Sequence, residues 1–307
     1  MIGRRSVQHA RATSRANQIA MKAASTAAVA IACVVAAHAQ ELEPRAYGIA
    51  PVEILLDPAV GVTDVQADLK IVTAGFGYTF DLAGRQARVL AIVPSAFGQI
   101  TGNVRGQLQR QDLRGLADPR IRFSIGLKGA PARSVSEIAE FARNPKRSAM
   151  GAAVTLMLPL GQYNREQVAN LGYNRWGLKP ELGISQSIDR WTLDGAAGVW
   201  FFTENGAYFP GYRRKEQSAV ISLQGHISYA LPHQMWVAID GTVFSGGATR
   251  VDGAVSPDRQ ENTRVGTTLS LPIGKLQSLK LAYSTGLRTL RGSDFDNFSV
   301  TWQGVRF

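Results

Sequence analysis

Val72-Thr73-Ala74-Gly75-Phe76-Gly77-Tyr78-Thr79-Phe80 decides the fold class, because its even-numbered residues are apolar or aromatic and its odd-numbered ones small or polar. A period of two puts one set on each face of a β-strand. The pattern returns along the chain. Ile121, Phe123, Ile125 and Leu127 alternate with Arg122, Ser124, Gly126 and Lys128, and Val154 and Leu156 with Ala153 and Thr155. Leu279, Leu281, Tyr283 and Leu287 alternate with Lys280, Ser284 and Arg288. Twelve such segments are expected, near 48–57, 70–81, 87–99, 119–128, 149–160, 175–187, 191–203, 217–229, 235–244, 262–273, 278–289 and 296–305. Most have the roughly 9 to 11 residues with which a tilted strand crosses a bilayer.

A soluble sandwich or lipocalin-like barrel alternates too, so the connections carry the distinction. Tight ones are expected at 82–86, 188–190, 230–234 and 274–277, and longer polar ones at 100–118 and 245–261. Short turns on one rim and long loops on the other mark an outer-membrane barrel, and an even strand count returns both termini to the short-turn side. The fold expected is all-β, an antiparallel transmembrane barrel of about 12 strands. Trp191, Tyr229 and Trp302 would girdle one rim, and Trp176 and Phe201 the other.

The connection 129–148 departs from the rule. Ser134-Val135-Ser136-Glu137 is a capping box, Ile138, Phe141 and Ala142 follow at helical spacing, and Asn144-Pro145 ends the run. A short amphipathic helix over 134–144, lying at the rim or plugging the mouth, is the expectation. The chain ends on Phe307 behind Phe298, Val300 and Trp302, the usual mark of a barrel handed to the outer-membrane assembly machinery. Phe307 is out of phase with that row, so a bulge near Gln303-Gly304 is needed.

Residues 1–39 read as a cleaved secretory signal, with a basic flank, an apolar stretch from Ala23 to Ala37, and Ala37-His38-Ala39 before Gln40. Met21-Lys22 would itself make a compact start. Cys33, the chain's one cysteine, follows Ala32, which offers a lipoprotein cleavage, yet apolar Val34 to Ala37 continue past it. The barrel would occupy residues 40–307. Arg4, Arg5, Arg11, Arg15 and Lys22, with no acid before Gln40, account for five of the net +11 charges. No basic patch interleaved with aromatics remains, so no nucleic-acid partner is expected. One cysteine and no Cys/His cluster exclude a disulfide framework and structural zinc. After Gln40 no apolar run reaches the length of a membrane helix.

Catalytic candidates are thin. His226 shares the polar side of its strand with Ser222 and Ser228, a superficial base and nucleophile, but a lumen-facing histidine bonded to a neighbouring strand is the plainer reading. His233 follows Pro232 in a turn. Glu181 and Asp194 could pair for acid/base work, whereas nearby Lys179 favours a salt-bridge network. Gly246-Gly247 is loop punctuation, and Asp252, Asp258 and Asp294 lack the spacing of a calcium loop. No metal and no cofactor are expected. The lumen-lining set would be Arg88, Arg122, Lys128, Lys179, Glu181, Asp194, His226, Asp240, Arg264, Lys280 and Arg288, with Arg264 and Arg288 nearly opposite each other. Such an interior is net cationic and would draw anions. Arg105, Arg110, Asp112 and Arg114 make the 101–118 loop polar enough to contact lipopolysaccharide phosphates or to constrict the lumen.

Local motifs add a resemblance. Leu42-Glu43-Pro44-Arg45-Ala46-Tyr47, Gly115-Leu116-Ala117-Asp118-Pro119-Arg120, Gly129-Ala130-Pro131-Ala132, Pro159-Leu160-Gly161-Gln162-Tyr163, Asn174-Arg175-Trp176, Lys179-Pro180-Glu181-Leu182-Gly183 and Asn262-Thr263-Arg264-Val265-Gly266 appear in order. Together they resemble the outer-membrane transporter family associated with the meta pathway of phenol degradation. The resemblance implies a porin-like channel in the Gram-negative outer membrane for passive uptake of small hydrophobic or aromatic compounds, and it transfers no catalytic motif. The alternatives are a lipid-hydrolase type of barrel enzyme and a structural or adhesive barrel.

Overall fold

The computed structural model describes residues 26–31, 53–54, 62–104, 106–129, 144–274, 277–289 and 295–304. Its strands are, in chain order, β1 (Thr26–Ile31), β2 (Glu53–Ile54), β3 (Val62–Leu82), β4 (Arg85–Val104), β5 (Gln107–Leu116), β6 (Arg120–Lys128), β7 (Lys146–Met157), β8 (Ala169–Asn170), β9 (Gly177–Ile188), β10 (Trp191–Phe202), β11 (Asn205–Tyr208), β12 (Arg213–Gln217), β13 (Val220–Ala230), β14 (Trp236–Gly246), β15 (Thr249–Val251), β16 (Ala254–Val255), β17 (Gln260–Pro272), β18 (Gln277–Thr289) and β19 (Asn297–Gly304). The helical structure among the described residues is a single 3-10 turn at Pro232–Gln234. All but Asn144 of the 134–144 helix, and Phe307, fall outside the described residues.

Eleven long strands, β3, β4, β6, β7, β9, β10, β13, β14, β17, β18 and β19, curl into one antiparallel sheet. β1 runs parallel to both edges, pairing along β19 and, through Ala28↔Ile71 and Val29↔Val72, with β3. The expected strand at 48–57 is not part of this wall: its described piece, β2, pairs with β8 in an outer loop. Tight turns gather on one rim. Ala83 and Gly84, both at positive φ, turn β3 into β4 in the manner that suits the twist of a two-residue hairpin, and the Gly84 N–H is capped by Asp81 Oδ1 at 2.8 Å. Trp191 and Tyr229 rings meet at 4.7 Å on that rim, and Trp302 Nε1 donates to Gln277 Oε1 at 3.1 Å beside it.

Register decides which side chains share a face. Glu181 faces the same side as its partners Ala153 and Gly198, and Asp194 aligns with Ser185 and His226. Leu182, Ile184 and Ile239 turn the other way and are 57%, 62% and 66% exposed, whereas Glu181, Lys179 and Asp240 are 6%, 6% and 3% exposed. A water-soluble barrel buries the first set and exposes the second. Here the apolar residues form the outer belt and the charges line the concave face, so a lipocalin-like fold is excluded.

The 100–118 segment is a correction: instead of a loop it is the upper part of β4 with β5, which hairpins back along it from Val104↔Gln107 to Ser95↔Leu116. On this extension the polarity reverses. Val65, Ala67, Leu69, Ala96, Ile100, Leu113 and Ala117 pack inward against Ala169 and Leu171 as a small apolar core. Gln66, Asp68 and Lys70 are exposed outside. The change of sense falls near residues 70–72 of β3, where the apolar belt of Val72, Ala74, Phe76 and Tyr78 begins.

Candidate functional site: a charged inner face below an aromatic mouth

The concave face carries ionic side chains held by neighbours across the sheet. Arg122 on β6 donates to Thr155 Oγ1 on β7 at 3.2 Å and reaches Glu181 Oε1 on β9 at 2.6 Å. Lys179 pairs with the other carboxylate oxygen of Glu181. Further round, His226 Nδ1 is hydrogen-bonded to Asp240 Oδ1, and Asp240 Oδ2 accepts from Thr268 Oγ1 at 3.0 Å. The Trp236 ring meets His226 edge-on at 6.0 Å and lies under Lys280 Nζ at 5.5 Å. Ser222 Oγ donates to the Gly198 carbonyl at 3.4 Å on the opposite neighbour, so His226 engages a carboxylate and Ser222 a backbone oxygen. That arrangement assembles no nucleophile and base. Arg88 lies across Gly77, where an added Cβ would stand 3.0 Å from its Nε; the missing side chain makes room for the guanidinium.

The outer end is roofed by the connections β7–β9 and β10–β13. Asp118, at the corner between β5 and β6, accepts the N–H of Gly161 at 2.8 Å and of Tyr173 at 2.7 Å. Gly161 passes so close that a Cβ there would lie 2.7 Å from Asp118 Oδ1. Asn205, 1% exposed, joins the two roof segments: its Nδ2 donates to Tyr163 Oη at 2.9 Å and to the Tyr173 carbonyl at 3.3 Å, and its Oδ1 accepts from Asn174 Nδ2 at 2.8 Å. Beneath them Met157, Tyr173, Trp200, Val220 and Phe244 form an apolar cluster with Phe202 packed on it. Arg175 enters this cluster, its Nη2 donating to Gln217 Oε1 on β12.

Of the residues expected on the inner face, the register puts Arg88, Arg122, Lys179, Glu181, Asp194, His226, Asp240, Arg264 and Lys280 there. Two move out. A register shift between Gly126 and Lys128 aligns Lys128 with Met150 on the outer side, exposed at the short-turn rim. A second, between Thr263 and Arg264, pairs Arg264 with Gly286 and sets Arg288 beside Thr263, outward and exposed. Arg264 and Arg288 are therefore not opposite; Arg264 stacks on Phe295 at 3.8 Å and donates to its carbonyl at 2.8 Å. The sequence reading missed Arg120, whose Cζ lies 6.0 Å from the Trp200 ring, and Arg147, which aligns with Ser187. It also missed Arg175 and the rings about it. Their signal was present in Asp118-Pro119-Arg120 and Asn174-Arg175-Trp176, which stand out as motifs without revealing that they meet.

The sequence model of a family described as "Putative MetA-pathway of phenol degradation" matches residues 58–299. Among solved structures, the crystal structure of an outer membrane channel from Pseudomonas putida F1 matches with a TM-score of 0.62, at 20% identity, covering 77% of this chain and 83% of that one. At that identity the likeness concerns the fold, which is that of an outer-membrane β-barrel. No curated protein matches the chain.

Proposed function

Since the chain belongs to the family described as the putative MetA-pathway of phenol degradation, we propose that it is an outer-membrane channel for passive uptake of small aromatic or other hydrophobic compounds, phenolics among them. The inverted polarity of the wall carries this reading: a sheet with Leu182, Ile184 and Ile239 outside and Glu181, Lys179 and Asp240 inside suits lipid on one face and a polar passage on the other. The inner residues named above line that passage. Arg88, Arg120, Arg122, Arg147, Lys179, Arg264 and Lys280 outweigh Glu181, Asp194 and Asp240, which favours anions such as phenolates and carboxylates. No reaction is assigned to it.

Export would use residues 1–39 as a cleaved signal, giving a mature chain that begins at Gln40 in the bacterial outer membrane. That cleavage removes β1, and the β3 and β19 edges must then find other partners, because lipid tolerates no open sheet edge. Outer-membrane lipids surround the belt in this reading, Arg110 and Arg114 on the outward side of β5 face lipopolysaccharide phosphates, and the barrel assembly machinery reads Phe307. The test is solute flux into vesicles containing the purified protein. Benzoate and phenol should equilibrate faster than through protein-free lipid; folded protein that leaves both fluxes at the lipid rate would overturn the channel.

A further inference from the structure

Arg175 is 3% exposed. Its Nη2 is engaged by Gln217, while its Nε and Nη1 are buried with no hydrogen-bond partner. A guanidinium has five N–H donors and keeps its charge at any ordinary pH. Buried donors left unmade are costly. The contacts around Arg175 are rings: its Cζ lies 4.6 Å from the Phe202 ring and 5.5 Å from that of Tyr173. Phe202 in turn stacks on Trp200 at 5.9 Å, with planes 6° apart. Trp200 also lies under Arg120 Cζ and Lys179 Nζ, each 6.0 Å from its centroid, and Arg120 Nε is likewise buried and unpartnered. Of the carboxylates close by, Asp118 accepts two backbone N–H groups and also attracts the Arg120 charge, and Glu181 holds Arg122 and Lys179.

The geometry points to a recognition site for an aromatic anion, a benzoate-like carboxylate or a phenolate, at the outer mouth. The anionic oxygens would accept the donors that Arg175 and Arg120 leave unmade, and the ring would lie against Trp200 and Phe202. Because those donors are buried, the ligand enters by loosening the contact between Arg175 and Gln217, so occupancy and opening of the mouth are coupled. The inference rests on the channel reading and adds to it the residues that choose the cargo.

Calorimetric titration of the purified protein in detergent with benzoate, acetate and benzyl alcohol reads binding independently of flux. Benzoate should bind at least tenfold more tightly than either comparator. Arg175→Gln should weaken benzoate at least tenfold, and Phe202→Leu should narrow the gap between benzoate and acetate. Equal benzoate affinity in the wild type and Arg175→Gln overturns the site, as does equal affinity of the wild type for benzoate and acetate. Where Arg175→Gln loses its strand signal in circular dichroism, Gln217→Leu decides: it frees the Nη2 donor that Gln217 holds and should tighten benzoate binding, and unchanged or weaker binding refutes the site. Arg175-dependent binding in a protein that passes no solute keeps the site and removes the channel. Benzoate flux without that binding does the reverse.

Discussion

Arg122 and Glu181 join strands that are not neighbours: Arg122 Nη2 on β6 reaches over the whole width of β7 to donate to Glu181 Oε1 on β9 at 2.6 Å. With Lys179 on the other oxygen, one carboxylate holds two cations on the concave face, where both Glu181 and Lys179 are buried.

Glu181→Gln leaves both cations facing each other, and breaking a buried ion pair from one side typically costs about 3 to 5 kcal/mol. The expected loss is at or below the lower end of that range, since the lumen admits some water. Urea titration of the protein refolded into vesicles measures it. A variant as stable as the wild type would show that the triad is solvated.

The outer belt and the concave face should respond oppositely to the same charge. Leu182→Arg places a guanidinium toward lipid, at a cost of about 2 to 4 kcal/mol if the site lies at the midplane. Gln224→Arg, on the inner face opposite Ala196 and Thr242, should cost much less. Equal losses in the same titration would mean the two faces meet the same environment, and a larger loss from Gln224→Arg would mean they are reversed.

Charge selectivity should follow the register. Planar-bilayer reversal potentials are expected to favour anions in the wild type, and Arg88→Glu with Lys280→Glu should reduce or reverse that preference. Arg288→Glu, outside the wall, should leave it unchanged. An effect from Arg288 alone would put that residue back in the lumen.

Acid should loosen one outer hairpin. The Arg213 guanidinium bonded to Asp252 Oδ2 at 2.8 Å, together with the Arg214 backbone N–H on Oδ1, holds the Asp252 carboxyl below its ordinary range. A carboxyl lowered by folding stabilises above its unfolded value and loses that contribution as pH falls through the folded one. Hydrogen exchange at the Arg214 amide should therefore quicken as the pH drops below the usual carboxylate range. In Asp252→Asn the rate, normalised for intrinsic exchange, should be flat over the same interval.

The wall was legible because alternation survives wherever one face meets lipid, as Leu182 and Ile184 against Glu181 and Ser185 show. Two kinds of feature escaped it. A one-residue bulge reverses every side chain beyond it, which is how Lys128 and Arg288 left the expected inner set while their neighbours stayed. The β4–β5 extension alternates too, but with Ile100, Leu113 and Ala117 inward and Arg110, Asp112 and Arg114 outward. Its polar side suggested a loop. The mouth was hidden for another reason: Arg120, Arg175, Trp200 and Gln217 come from four separate stretches, brought together by strand pairing and by roof segments that the Asp118 carboxylate ties down at Gly161 and Tyr173, none of which leaves a spacing to count.

β3 passes from one solvent to another without a break in its hydrogen bonding, Val72 to Tyr78 showing apolar side chains outward and Lys70, Asp68 and Gln66 charged or polar ones. The strand thus bears a waterline. A thicker bilayer would have to submerge Lys70 and Asp68, which hydrocarbon penalises, so the lipid stretches or thins to meet the protein instead of the protein sinking or rising. The mouth keeps a constant height above the acyl chains, and its surroundings are set by what coats the cell rather than by how thick the membrane is.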